Sequence, residues 1–576
     1  MRLILSTYLR ILKERDEFDA LFPDLLSSMG IVPVSKPQTG TRQFGVDLSA
    51  VGPDPDDGGK EKLFLFVLKQ GDIGRSEWDS GPQSVRQSLN EVRDVYLRSH
   101  VAPVHQKLRK KVILSTTGDL KDVVAANWSG YTTENAALTD FDFWGADKVA
   151  LLVERYMLDE HLFKYEDRID LRRALALAGE NDYSLRDFHR LLKRQLGLTA
   201  SGEWSQQAIK PQELVKALSR VNLATRLVAN WSIKDGNAKQ ALLVAERTLL
   251  WSWHRLQFAS ASEQQQLYPA FDALWQSYSH ISMTYFEKLK AHCYVRDGLS
   301  GYTGESSLFS LIVFEQIGML ASIGLAQVYH VTPDEAEYAS AVDNAANIAD
   351  ALSNLITNNP VSGSPCLDEN TIDITLGLIL LTLMGKHDDA SDWLEELVRR
   401  SDYTFKIGRH FPVGTDSIDD LIALECSELD HDERKKFRNT SWLLPTFAGW
   451  SVIFQREAIY AALVKGQQED DYPDICRQLW HPVKDLFVHL YFQAAHRESG
   501  EAEAPIIFPD DIEKYRQHMM NLLNSARHNI LDNSPAYQAD IMALDLIACR
   551  HFRTPVAPYF WYQFDLLPQK LPGSPT

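Results

Sequence analysis

The sequence predicts an α+β protein in two parts: a small α/β domain over residues 1–165 and a large all-α region over 166–565, with stacked helical hairpins as a candidate arrangement, before a disordered tail at 566–576. Three observations carry this reading. Short β-branched, apolar runs are confined to the first part. Beyond it nearly every segment repeats its apolar residues every three or four positions, which is the helical period. The length of 576 residues is also past the size at which one hydrophobic core keeps growing.

In chain order, Leu3, Ile4, Tyr8, Ile11, Leu12, Phe18, Leu21, Phe22, Leu25 and Leu26 fall at helical spacing, giving one amphipathic helix or two broken near Pro23. Gly30 stops it, and residues 31–34 begin an extended stretch. Residues 43–51 (QFGVDLSAV) and 63–69 (LFLFVLK) read as a strand pair joined by a long, solvated acidic turn over 52–59. A helix over 83–98 follows, then 111–116 (KVILST), a strand buried on both faces. Residues 139–143 supply a candidate edge strand, and 146–163 a helix. The remainder reads as helices, among them 212–218, 239–256, 306–329, 333–356, 390–400, 456–464, 485–495 and 510–523. Breaks rich in Gly, Pro, Ser or charge fall at 197–210, 358–365, 411–417 and 500–505, without a repeat of fixed period.

Composition narrows the function. The formal charge of −19 excludes a protein whose whole surface coats nucleic acid or an anionic membrane. Residues 1–163 hold 20 basic and 24 acidic side chains, so most of the excess negative charge lies beyond them, and the first part is the better partner for a polyanion. Cys293, Cys366, Cys426, Cys476 and Cys549 are odd in number and never form a CxxC pair, which predicts a reducing cytoplasm rather than a disulfide framework or a thiolate zinc site. The apolar runs at 308–328 and 374–385 read as core helices, not membrane spans. No Walker-type loop, GxGxxG, GxSxG, HExxH or HxxxH pattern is present.

One arrangement points to chemistry. Asp47 sits in GVDL, and Val67, Leu68, Lys69, Gln70, Gly71 and Asp72 follow on the neighbouring strand and its end. Side chains alternate across a strand, so positions 67 and 69 share a face that Asp47 can join. A carboxylate beside a lysine at a sheet edge is the minimum for metal-dependent phosphodiester hydrolysis, the carboxylate holding a hard cation and the lysine positioning water.

With its helix, its hairpin bearing Asp47 and Lys69, and the helix and strand beyond, the first part resembles the PD-(D/E)xK, or restriction-endonuclease-like, superfamily. Asp47 matches that superfamily's first aspartate and Lys69 its lysine, while Gln70 and the Gly71, Asp72 and Ile73 after it are similar to what some members carry there. Val67 stands where members have an acid (or Gln). The resemblance implies that another acid replaces it: Glu91 on the 83–98 helix, or Glu17 on the first helix, with Gln87 near the phosphate. It also implies Mg²⁺ or Mn²⁺ as cofactor and DNA as substrate.

The basic residues Arg98, His100, His105, Lys107, Arg109, Lys110 and Lys111 form a cluster that could steer a phosphate backbone toward the hairpin. The expectation is therefore a metal-dependent DNA endonuclease domain joined to a helical sensor or partner-binding module, as in effectors of bacterial anti-phage defence. An ATPase or helicase subunit is a candidate partner, and the chain itself a candidate homo-oligomer. The rival expectation is a catalytically inactive, nuclease-like scaffold that docks protein partners, which Val67 favours.

Overall fold

A computed structural model of the chain describes residues 18–34, 44–81, 84–156, 165–180, 184–201, 203, 210–257, 259–302, 306–329, 338–406, 414–415, 418–425, 431–468, 475–483, 486–494, 500–527 and 534–565, with Ser6, Leu9 and Arg10. The expected tail at 566–576 lies outside these residues. Two compact units emerge: Met1–Gln195 with Val215–Trp231, and Leu196–Leu214 with Ser232–Thr576. The first unit thus extends past the expected boundary at 165.

The first unit is a five-stranded sheet with helices on both faces. Helix α1 (Asp19–Ser28) buries Leu21, Phe22, Leu25 and Leu26. It ends where Gly30 takes φ +79° and Ile31 N–H donates to Leu26 O at 2.8 Å, a glycine-assisted helix stop. Strands β1 (Val32–Pro33), β2 (Leu48–Asp54), β3 (Lys60–Lys69), β4 (Arg109–Thr116) and β5 (Asp140–Trp144) lie in that spatial order. The β1/β2 and β2/β3 pairs are antiparallel, and β3/β4 and β4/β5 are parallel.

Strand β3 reads as an unbroken apolar run because both its faces are covered. On one face Phe66 meets Phe22 at 5.4 Å and Trp144 at 5.5 Å between ring centroids. On the other, Leu63, Leu65 and Val67 pack with residues of helix α2 (Arg75–Asp79), helix α3 (Val85–Glu91) and helix α4 (Asp122–Asn135). A π turn over Val92–Tyr96 and a last turn over Leu97–Ser99 prolong α3.

Two expectations change here. Helix α4 was not anticipated, because Ala, Asn, Ser and Gly130 dilute its apolar positions Val124, Trp128 and Tyr131. The acidic turn is also shorter than expected: β2 runs on to Asp54, which is buried rather than solvated.

Helices α5 (Ala146–Tyr156), α6 (Tyr165–Leu177), α7 (Arg186–Leu196) and the middle of α8 (Pro211–Lys234) complete the first unit. Ion pairs join α6 to α7 within this unit. The buried Asp167 and Asp170 take Arg194 and Arg190, with Arg194 Nε 2.6 Å from Asp167 and Arg190 Nη2 2.8 Å from Asp170. Arg220 of α8 then donates to Gln195 at 2.9 Å.

The second unit is helical. Among its longer helices are α9 (Ala238–Leu256), α10 (Ala261–Cys293), α11 (Ser306–Val328), α12 (Tyr338–Asn358), α13 (Thr371–Leu383), α14 (His387–Lys406), α15 (Leu443–Ile453) and α16 (Ala543–His551). Helix α11 is long and apolar enough to cross a membrane, yet 78% of its most apolar window is buried against the rest of the protein, as expected of a core helix. Asp368 caps α15 from a distance: its carboxylate accepts from Ser441 Oγ at 2.7 Å and Leu443 N–H at 3.1 Å. Small two-stranded ribbons, Thr440–Ser441 with Cys476–Arg477 and Leu479–Pro482 with Gly500–Glu503, are the only strands among its described residues.

Candidate functional site

Asp47 and Lys69 lie at one end of adjacent strands. Asp47 is one step outside the ladder: its N–H donates to Phe66 O at 2.9 Å, and its carboxylate accepts the N–H of Leu68 at 2.7 Å. A carboxylate bound to the strand end beside Lys69 is fixed in place, as a ligand or positioning group has to be. Lys69 ends β3 opposite Thr116 of β4 and is half-buried, and Gln70 after it is exposed. The turn then folds back. Gly71, at φ +73°, donates to Thr117 Oγ1 at 2.8 Å, and Asp72 accepts Asp119 N–H at 3.0 Å. Arg10 closes this corner with a 2.6 Å bond to Asp119, while Lys121 stands 3.7 Å from Asp72.

The replacement acid is placed less directly. Gly45, two residues before Asp47, has φ +79° and no room for a Cβ because the Ser88 carbonyl of α3 lies against it. This contact brings α3 against the segment that carries Asp47. Glu91 is one turn beyond Ser88 on that helix and half-buried. Glu17 lies outside the described residues. Gln87 is exposed on α3. Val67 is fully buried among Leu65, Val85, Leu89 and Leu114. Its face of the sheet is filled with apolar side chains.

The basic cluster is divided by the structure. Strand β4 runs parallel to β3, with Arg109 opposite Lys62 and Thr116 opposite Lys69, so Arg109, Lys110 and Lys111 begin the strand some seven residues, or about 23 Å, from the Lys69 end. Lys111 is buried and paired with Asp54 at 3.0 Å and Asp56 at 3.2 Å. Arg109 is held by Asp140 at 2.8 Å, and Lys110 donates to the Gln106 carbonyl. The expectation that 109–111 hold a nucleic-acid backbone at the hairpin is corrected: Lys111 is inside an ion-pair network, and all three sit at the far end of the sheet. Arg98 and Lys107 are exposed.

That network is what the sequence reading missed. Lys62, 6% exposed in its side chain, touches Asp54, Asp57 and Asp140, each at 2.9 Å. Burial opposes the charged form of Asp54, but hydrogen bonds from Lys62 and Lys111 outweigh it and hold the carboxyl below its usual range. Hydrogen bonds from Lys62 and Lys60 hold Asp57 at about 2. Two lysines, at positions 62 and 111, each open an otherwise apolar run, and that was the available signal.

Among the described residues no three His, Cys, Asp or Glu side chains gather as a metal site. A cation with few protein ligands remains compatible with the chemistry, since Mg²⁺ commonly takes one or two carboxylates and fills its shell with water and substrate phosphate oxygens. Asp47 and Glu91 are oxygen donors of that kind. Set beside known proteins, the chain matches no family model, no curated protein and no solved structure.

Proposed function

We propose that the first unit is a restriction-endonuclease-like module that hydrolyses DNA phosphodiesters with Mg²⁺ or Mn²⁺. The observation that supports it best is the placement of Asp47 and Lys69 at the same end of an antiparallel pair continued by parallel strands, with the Asp47 carboxylate bonded beside Lys69. Asp47 and Glu91 would hold the cation, which supplies charge stabilisation at the phosphate. Lys69 orients the attacking water and offsets the developing negative charge. Gln70 and the exposed Arg98 and Lys107 are candidates for contact with the nucleic acid. The helical second unit is proposed as a sensor or docking module for a protein partner, an ATPase or helicase subunit among the candidates, in an anti-phage defence setting.

The test is plasmid cleavage by the purified chain with Mg²⁺ or Mn²⁺, with RNA as a parallel substrate. Lys69→Ala and Asp47→Asn are each expected to lower the rate about 10²-fold or more. Glu91→Gln should shift the metal concentration needed for half-maximal cutting upward.

The buried Val67 favours a second reading, a nuclease-like scaffold that binds without cutting. Intact plasmid under every condition, with DNA or partner binding retained, selects it.

A further inference from the structure

We infer that Arg247 anchors an oxyanion-binding site on the second unit, which takes a small ligand through a phosphoryl or carboxylate group. This inference is independent of the nuclease reading.

Its basis is a chain of fixed groups on α9 and α16. Glu246 of α9 is fully buried, and its carboxylate accepts from Arg550 and, at 2.9 Å, from His551 Nδ1. With Nδ1 donating, Nε2 of His551 is left as an acceptor, and Arg247 Nε donates to it at 2.7 Å. Burial keeps His551 neutral, its pKa pushed down to about 4, so the ring can play both parts. The Arg247 guanidinium lies 5.3 Å from the Trp251 ring centroid and 4.8 Å from that of Phe552. One side chain is thereby held by a hydrogen bond along its stem and by two aromatic faces.

Arg247 has no carboxylate bonded to it in this cluster: Glu246 is taken by Arg550 and His551, and Arg550 also faces Asp373, itself bonded to Arg553. Buried or half-buried charges are normally paired, because leaving one without a partner costs free energy. Burial lowers the Arg247 pKa to about 10, the direction expected of a cation short of a counter-charge.

The spare valence has a direction. Arg550 Nε and Glu246 Oε1 are buried without a partner, whereas no nitrogen of Arg247 is. Nη1 and Nη2 of Arg247 make no hydrogen bond to a described residue, and neither is among the fully buried atoms without a partner. A planar guanidinium anchored through Nε, with both Nη groups left without a described partner, matches the two-oxygen geometry of a carboxylate or phosphoryl group. Because stacking has already removed its rotamer freedom, little ordering entropy is lost when the anion docks.

The experiment is calorimetric titration of the full chain carrying Lys69→Ala, which removes a first-unit phosphate contact, with inorganic phosphate and separately with acetate, chloride holding ionic strength constant. At least one anion should bind saturably at one site per chain. Arg247→Gln should weaken that binding tenfold or more. Arg247→Lys, which keeps the charge and most of the packing but not the fork, should do the same while unfolding at the parent temperature. Preference for phosphate over acetate, or the reverse, identifies which group the natural ligand carries. Saturable binding of neither anion, or unchanged affinity in a folded Arg247→Lys protein, overturns the inference and leaves Arg247 as packing between two rings.

Discussion

Val67 tests the candidate site most directly. Its side chain is fully buried in an apolar cluster, so Val67→Glu puts a carboxylate among apolar side chains. The expected outcome is a loss of more than about 3 kcal/mol in urea denaturation, with no gain in cleavage. A Val67→Glu protein of parent stability that cuts faster would show that position 67 opens onto the pocket after all. Asp47 is the opposite case: polar, half-buried and bonded to the backbone at the strand end. Alternation alone located the pair Asp47 and Lys69, because it depends only on register. Orientation was beyond its reach, since the approach of Gly45 to Ser88 bends the chain just where Asp47 leaves the ladder.

At the scale of elements, β2 to β5 were legible wherever sequence period and burial agree, as in 63–69 and 111–116. They were misread wherever a charge is buried. Asp54 and Lys111 look like solvated residues and are instead 1% and 6% exposed, joined across β2 and β4. Removing Lys111 leaves Asp54 with Lys62 as its remaining lysine, so Lys111→Met should cost about 1.5–3 kcal/mol, the worth of a lost charged hydrogen bond. Replacing Asp54 and Lys111 together by apolar residues should cost less than the sum of the single changes. Thermal unfolding of the three variants checks this, and additive losses would mean that the ion pairs are not coupled. The same burial is seen in α6 and α7, rich in Asp and Arg: they read as part of the helical region, yet their carboxylates are buried in ion pairs that join the two helices, and both fall in the first unit.

For the molecule as a whole, stability should depend on pH through Asp545. This carboxyl is fully buried, with the Tyr491 and Ser534 hydroxyls as its donors among the described residues, and burial raises it to about 7. The unfolded chain ionises it near pH 4. A raised acid binds its proton more tightly in the folded state, so its contribution is fully present below about pH 4 and is lost as pH rises to 7. Asp545→Asn should therefore match the parent near pH 4.5 and exceed it at pH 8 by roughly 1–3 kcal/mol. A melting-temperature gap that stays constant from pH 4.5 to 8 would contradict this. Helix α8 bears on how the protein can be dissected. Because Val215–Trp231 returns to the first unit after Leu196–Leu214 has joined the second, no single scissile point separates the halves, and a gene fragment ending at residue 165 or 195 should yield an unstable, protease-sensitive product. Swapping either half for that of another protein would demand a graft inside a continuous helix, which ties the inheritance of one half to the other.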